Sequence, residues 1–171
     1  MRIELEKLEE AGGKFSQLYD ANELQFDEDE VRVIERVDVR GQARRKNGEV
    51  ELRGCLNTRV AVPCGRCLKQ VELPLEVRFA ERFVSEVSWR GEEQHELREE
   101  DLNLAVFDGE GIELEDLVKE EILLGVPGHV LCAEECKGLC PSCGLDRNFA
   151  NCDCEAEQID SRWDKLKELN L

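Results

Sequence analysis

Eight of the nine cysteines in this chain fall into short groups: Cys64-Gly65-Arg66-Cys67, Cys132-Ala133-Glu134-Glu135-Cys136, Cys140-Pro141-Ser142-Cys143 and Cys152-Asp153-Cys154. A thiolate is a soft ligand, and four of them complete a tetrahedron around one zinc ion, with Zn–S near ~2.3 Å. Two thiolates separated by two residues reach the same ion when the backbone between them makes a tight turn. Glycine after the pair, as in Cys143-Gly144, eases that turn, and Pro141 stiffens it. Two C-x-x-C pairs and four further cysteines therefore predict metal ligation. The spacing admits one site or two. The arrangement we favour joins Cys64 and Cys67 to Cys132 and Cys136, closing a long loop where a cross-link removes the most chain entropy. It gathers Cys140, Cys143, Cys152 and Cys154 into a compact second site. A one-site arrangement takes four of the six C-terminal cysteines and leaves Cys64 and Cys67 free. The expected cofactor is zinc, as one ion or two. An all-cysteine site has no open coordination position, so its expected role is structural rather than catalytic.

Other chemistries for these residues are weaker. Cys132, Cys136 and Cys140 stand at helical spacing, but Gly138 and Pro141 interrupt such a helix. A C-x-x-C redox dithiol belongs at a helix N-terminus after a strand in a βαβ setting, which neither pair has. A redox switch that releases zinc on oxidation remains a separate alternative. His129, three residues before Cys132, is a possible substitute ligand, and His95 reads as solvated. Cys55, inside a strand pattern, reads as a plain structural thiol. No Ser/His/Asp arrangement and no glycine-rich loop after a strand points to catalysis or phosphate binding. No small-molecule substrate is expected.

The chain has 171 residues, 41% of them apolar and 37% charged, with a net charge of −17. That is enough for one modest core. No apolar run is long enough to span a membrane, and the first residues have no apolar stretch of the kind a secretory signal needs, so a cytoplasmic location is expected. Clustered cysteines in a reducing compartment bind metal more often than they form disulfides. The acidity argues against a general nucleic-acid binder, because neutralising phosphates takes accumulated Lys and Arg. The charge is uneven: residues 51–80 are net +2 and residues 81–125 net −11. Arg53, Arg59, Arg66, Lys69 and Arg78 form a weak candidate RNA-facing patch, although scattered basic residues are more often an ordinary wet strand face. The acidic middle would repel RNA and attract a basic protein.

The elements that position these residues read mostly as strands. Ile3 to Glu6 alternates briefly, and Gly12-Gly13 reads as a break. Val31, Val33, Glu35, Val37 and Val39 recur at period two, and Asn47-Gly48 is a two-residue hairpin signal. The return strand places Val50, Leu52, Gly54, Leu56, Thr58, Val60 and Val62 on one face. A further strand runs from Val71 to Val84, with Pro74 marking an edge or a bend. Residues 85–101 read as a solvated loop. Leu102 to Phe107 reads as a short strand, closed by Asp108-Gly109-Glu110-Gly111. A helix is predicted over 114–124, ended by Gly125 and Pro127. A second, capped at Asp160 or Ser161, would bury Trp163, Leu166 and Leu169. The predicted fold is α+β: an antiparallel meander with one packed helix, a cysteine-rich zinc-binding segment and a short C-terminal helix. The expected division is a β-rich core over 1–127, the cysteine segment over 128–154 and a helical tail over 155–171.

The chain resembles the YceD family, the large ribosomal RNA subunit accumulation proteins. The resemblance rests on the order Cys64-Gly65-Arg66-Cys67-Leu68, then Glu120-Glu121-Ile122-Leu123-Leu124-Gly125-Val126-Pro127, then Cys136-Lys137-Gly138-Leu139-Cys140-Pro141-Ser142-Cys143-Gly144, Cys152-Asp153-Cys154 and Ile159-Asp160-Ser161-Arg162. The family's Asn-rich stretch after the second knuckle is weaker here, at Leu145-Asp146-Arg147-Asn148-Phe149. The resemblance implies a bacterial or plastid protein needed for accumulation of 23S ribosomal RNA. With the residue-level reading, it gives a non-enzymatic ribosome biogenesis factor whose partners are the large-subunit pre-ribosome and ribosomal or assembly proteins, with direct rRNA contact a secondary expectation. A redox-responsive zinc-binding chaperone and a zinc-ribbon transcription adaptor are the alternatives.

Overall fold

In the computed structural model, residues 2–4, 12–26, 31–46, 49–90, 104–108 and 111–154 are described. The frame is a long hairpin of β5 (Glu49–Pro63) and β6 (Gln70–Ser85), paired in register from Glu49↔Val84 to Pro63↔Gln70. β4 (Val37–Lys46) lies on its other side. The β4–β5 register ends at Lys46↔Glu49, and the predicted turn residues Asn47 and Gly48 lie outside the described residues. Along β5 the alternation is the cause of the burial: Val50, Leu52, Leu56 and Val60 have no exposed surface, whereas Arg53 and Asn57 between them face solvent.

Around this frame stand β1 (Arg2–Glu4), β2 (Gly13–Tyr19), β3 (Arg32–Val33), α1 (Glu86–Arg90), β7 (Leu104–Phe107), β8 (Gly111–Glu113) and α2 (Leu114–Gly125). The large sheet has the order β2-β4-β5-β6-β7, with β3 pairing β5 beyond the end of β4, and β1 and β8 make a separate two-stranded ribbon. Pro74 lies on β6 opposite Arg59 of β5, ahead of the Arg82–Ser85 stretch that pairs with β7, so its missing N–H falls on an edge. One cross-strand row runs Phe15↔Gly41↔Gly54↔Phe79. A Cβ on Gly41 would lie 2.5 Å from the Phe15 ring, and one on Gly54 2.5 Å from that of Phe79. The two phenylalanines therefore cover the two glycines on the core face.

Several expectations are corrected. Gly12, with φ 80°, stands just ahead of β2, which Gly13 opens. The run from Val31 is interrupted: Val33 faces Val60 but Asp38 faces Asn57, so five residues advance against three on β5. The extra residues turn Glu35 outward while Val33, Val37 and Val39 stay buried. The meander is not wholly antiparallel, because β7 pairs with β6 in parallel over Arg82–Ser85 and Leu104–Phe107. Residues 85–101 do not all form a loop: Ser85 ends β6 and Glu86–Arg90 is helical. Gly111, the last residue of the segment expected to close that strand, opens β8. The C-terminal helix expected over 155–171 and the solvated His95 lie outside the described residues.

α2 matches its predicted span. Glu115 and Asp116 favour its N-terminal end, and Lys119 Nζ pairs with Glu115 at 2.8 Å one turn back. Leu114, Leu117, Val118 and Ile122 are buried in the common core. α2 packs against β6 and β1. A Cβ on Gly125 would lie 2.4 Å from Val77, so glycine there lets the helix end close onto β6. Glu121 is also buried, with 7% exposure, and Glu81 sits on the apolar side of β6 opposite Leu52. Burial, then the charges of Glu81 and Glu120, hold the Glu121 carboxyl above the usual carboxylate range; burial, then Glu120, does the same to Glu81.

A raised folded-state value means that the folded chain binds this proton more tightly than the unfolded chain, so stability falls as pH rises from the ordinary carboxylate value through the raised one, and the full penalty applies above it. Glu121→Gln is expected to raise Tm at neutral pH. The gain should shrink toward zero as the pH falls below the ordinary carboxylate range, measured by thermal denaturation of both proteins across pH.

Candidate metal centre

The first knuckle is the tip of the β5–β6 hairpin. Cys64 N–H donates to the Lys69 carbonyl at 2.8 Å, and Leu68 N–H donates to the Cys64 carbonyl at 2.9 Å, so the six residues after Pro63 curl inward. Leu68, with φ 61°, takes the left-handed position that this curl requires. The second knuckle repeats the pattern: Cys140 N–H donates to the Leu145 carbonyl and Gly144 N–H to the Cys140 carbonyl, both at 2.8 Å, and Gly144 has φ 73°. The second loop uses glycine where the first uses leucine.

The segment after α2 docks on the first knuckle. Gly65 N–H donates to the Val130 carbonyl at 2.8 Å, and Leu139 N–H to the Arg66 carbonyl at 3.0 Å. The Arg66 guanidinium donates to the Cys136 carbonyl at 2.8 Å. Residues 132–140 form turns, not the interrupted helix their spacing also allowed. The result is two cysteine tetrads. Cys64, Cys67, Cys132 and Cys136 form one, Cys140, Cys143, Cys152 and Cys154 the other, and within each all four sulfurs lie within 4.8 Å of one another. Cys64 and Cys136 sulfurs are 3.9 Å apart, and those of Cys67 and Cys132 3.6 Å. A tetrahedron with metal–sulfur bonds of ~2.3 Å has sulfur edges of about 3.8 Å. These two groups could hold metal ions.

Their electrostatics point the same way. The N–H groups of Cys67 and Arg66 lower the Cys64 thiol to about 6, and those of Cys143 and Ser142 lower Cys140 to about 6. Cys132, facing the Cys136 sulfur, is pushed up to about 12, and Cys154, facing Cys143, likewise. Each tetrad stabilises its first negative charge and resists the last. A divalent cation resolves that conflict by displacing the protons. The tetrads differ in exposure: Cys64, Cys67 and Cys136 are buried, whereas Cys143 and Cys154 are exposed. Cys64, Cys67 and Cys136 form a small apolar cluster with Val71, Leu131 and Leu139, apart from the main core.

Asn148 is a site residue that spacing did not single out. Its Nδ2 donates to the Cys136 sulfur at 3.4 Å, while its Oδ1 accepts from Lys137 N–H at 2.8 Å. The only sequence signal was an asparagine just past the second knuckle. His129 is exposed, and Cys55 is half-buried in β5 opposite Arg40 and Arg78, in neither tetrad. Of the five basic residues proposed as a patch, Arg53 pairs with Glu51, Arg78 with Glu76 at 3.9 Å, and Arg59 with Glu35 at 3.6 Å and Glu72 at 3.9 Å. Arg66 is engaged within the first knuckle, and Lys69 is exposed beside it.

Residues 52–170, which include both tetrads, match the family described as large ribosomal RNA subunit accumulation protein YceD. The chain belongs to the YceD family. It is similar to uncharacterized protein YlbN of Bacillus subtilis, with 28% identity over 167 residues covering 97% of this chain and 92% of that protein. Uncharacterized proteins Mb2951c of Mycobacterium bovis and Rv2926c of Mycobacterium tuberculosis are 35% identical over 106 residues, 62% of this chain and 48% of each of theirs. The match therefore spans about half the length of the mycobacterial relatives. No solved structure matches the chain. Among the described residues no helix is long and apolar enough to cross a membrane.

The two knuckles differ at one position in a way that can be tested. An L side chain in the left-handed region costs ~1 kcal/mol, and Leu68, 62% exposed, recovers little of that by burial. Leu68→Gly is expected to raise stability by ~0.5–1 kcal/mol, and Gly144→Ala to lower it by ~1 kcal/mol. Urea unfolding of the two variants measures both shifts.

Proposed function

We propose that this protein is a non-enzymatic, cytoplasmic factor in ribosome biogenesis that supports accumulation of 23S rRNA and the large subunit, with one zinc ion in each tetrad. What supports the ribosomal reading is the match to a family of large ribosomal RNA subunit accumulation proteins, whose span takes in both cysteine groups. What supports zinc is the donor set: four thiolates per site, edges close to those of a zinc–sulfur tetrahedron, and no oxygen ligand of the kind harder cations prefer. Zinc enclosed by four thiolates has no vacant position for a substrate, so its part is to hold the backbone.

In this reading the first site fastens the segment after α2 to the hairpin tip and the second folds residues 140–154 upon themselves. The partners are proteins of the large-subunit precursor. A loaded tetrad, four thiolates on one divalent ion, is itself a dianion, which adds to a net charge already at −17. Such a surface favours basic proteins over RNA phosphate.

Two measurements test this. Protein purified anaerobically without chelator is expected to carry about two zinc per chain, with only Cys55 freely titrating as a thiol before denaturation. No metal together with four or more reactive thiols would overturn the scaffold and favour a redox role. In cells, loss of the protein is expected to lower the ratio of 23S to 16S rRNA and the free large-subunit peak in sucrose gradients, and Cys64→Ser to restore neither. Normal 23S levels in cells lacking the protein would overturn the ribosomal assignment, and co-purification with RNA polymerase subunits would favour the transcription adaptor.

A further inference from the structure

A cleft of about 620 Å³ opens between β7, β8 and α2, far from the cysteines. Six carboxylates line it (Glu81, Asp108, Glu113, Asp116, Glu120 and Glu121) and no basic side chain among the described residues does. The remaining wall is apolar, with Phe83, Phe107 and Leu117 inside and Val106 and Leu124 exposed at the rim. Glu121 is more than nine-tenths buried and turned into this cleft, yet among the described residues no hydrogen bond or ion pair answers its carboxylate. Glu81, from the facing strand, is likewise unanswered. Burying a charge without a partner is costly, and these two carboxylates also repel each other. A cation lying between them would relieve both costs.

The shape of the walls says what kind of cation. Among the described residues only the cysteine tetrads bring three or more ligand atoms within 4.8 Å, so these carboxylates are too widely spread to wrap a bare metal ion. A planar guanidinium on an apolar stem fits better: it can donate to two carboxylates while its methylenes lie against the aromatic walls. Every residue of β7 and of β8 lines the cleft, as happens when strand edges rather than strand faces border it. β7 is paired only with β6, and β8 only with β1, among the described residues. Edges that carry no further strand among the described residues present backbone donors and acceptors to an extended chain.

We propose that this cleft is the docking site for an extended, arginine-containing segment of a basic partner protein, which adds to these strand edges and places one guanidinium between Glu81 and Glu121. The site deepens the reading of the protein as a factor that engages basic proteins of the large-subunit precursor, but it is tested without that reading. The probe is a fluorescein-labelled peptide alternating Val and Arg, titrated into full-length, zinc-loaded protein and followed by anisotropy. Saturable binding is expected, weakening steeply with salt, while the same peptide with Glu for Arg should not bind. Glu81→Gln with Glu121→Gln is expected to weaken binding by roughly tenfold or more, whereas Glu72→Gln with Glu76→Gln, which removes equal charge elsewhere on β6, should change it by less than about twofold. Because the buried Gln variant should fold at least as well as the parent, lost binding cannot be ascribed to lost structure. No saturable binding by the parent protein, equal loss in both double variants, or equal binding of a Lys-for-Arg peptide would overturn the proposal. If the peptide binds as described while 23S levels do not depend on the protein, the cleft stands and the ribosomal assignment fails. If 23S depends on the protein and the peptide does not bind, only the cleft fails.

Discussion

The structure depends on the closure between the tip of the β5–β6 hairpin and the segment that follows α2. That segment has almost no apolar burial of its own: from 128 to 154 the buried positions are Cys136, Gly138 and Cys140. Its backbone order comes from hydrogen bonds to the knuckle at Gly65, Arg66 and Cys64, and from the sulfur tetrad itself. Cys64 and Cys136 are 72 residues apart. A cross-link closing a loop of that length removes unfolded-chain entropy equivalent to about 4 kcal/mol in the chain-entropy picture. Two backbone–backbone hydrogen bonds, with three more through the Arg66 guanidinium and the Cys64 sulfur, would hold such a closure poorly without it.

Electrostatics and topology divide the molecule between its two ends. Gln70, at the knuckle, and Glu81, in the acidic cleft, are eleven residues apart on one strand, or roughly 35 Å. Between them the outward face of the sheet is charged but locally balanced, with Arg53, Arg59, Arg78 and Arg82 each beside a carboxylate. Exposed pairs of this kind contribute little stability. Their effect is to cancel the positive field that residues 51–80 would otherwise project, while six carboxylates line the cleft at the other end of the sheet.

How much of this the sequence disclosed follows from which interactions are local. The β4–β5–β6 hairpins were legible because Asn47-Gly48 and the alternation from Val50 to Val62 are adjacent in the chain and point to one register. The tetrads were legible as chemistry because C-x-x-C spacing is local, and the favoured pairing rested on loop-closure reasoning. β2 was missed because Gly13 and Gln17 weaken its core face, and Phe15 is recognisable as core only once Gly41 lies beneath its ring. The interruption at Glu35 was hidden by period-two spacing that continues straight through it. The parallel β6–β7 pairing is non-local and leaves no periodic trace. Glu81, by contrast, was readable: it stands in the alternation Leu73, Leu75, Val77, Phe79, Glu81, Phe83, where an acid on an apolar face asks for a partner. Asn148 was not readable, since its role exists only after the knuckle has brought it to Cys136.

α2 ties the two ends together. Glu121 faces Glu81, and Gly125 lies against Leu75 and Val77, so the helix runs antiparallel to β6 and its C-terminus points toward the hairpin tip. Its buried side, Leu114, Val118 and Ile122, belongs to the main core, while Asp116, Leu117, Glu120 and Leu124 line the cleft. Directly after it the chain reaches Val130, whose carbonyl accepts from Gly65, and then the first tetrad. The same closure that orders the cysteine segment therefore fixes where α2 ends along β6. A helix of 12 residues held by one apolar stripe and carrying an unpaired buried glutamate would otherwise gain by sliding or fraying until Glu121 reached water. The anchor at the knuckle opposes that relaxation, and in doing so keeps the Glu121 carboxyl in the cleft beside Glu81.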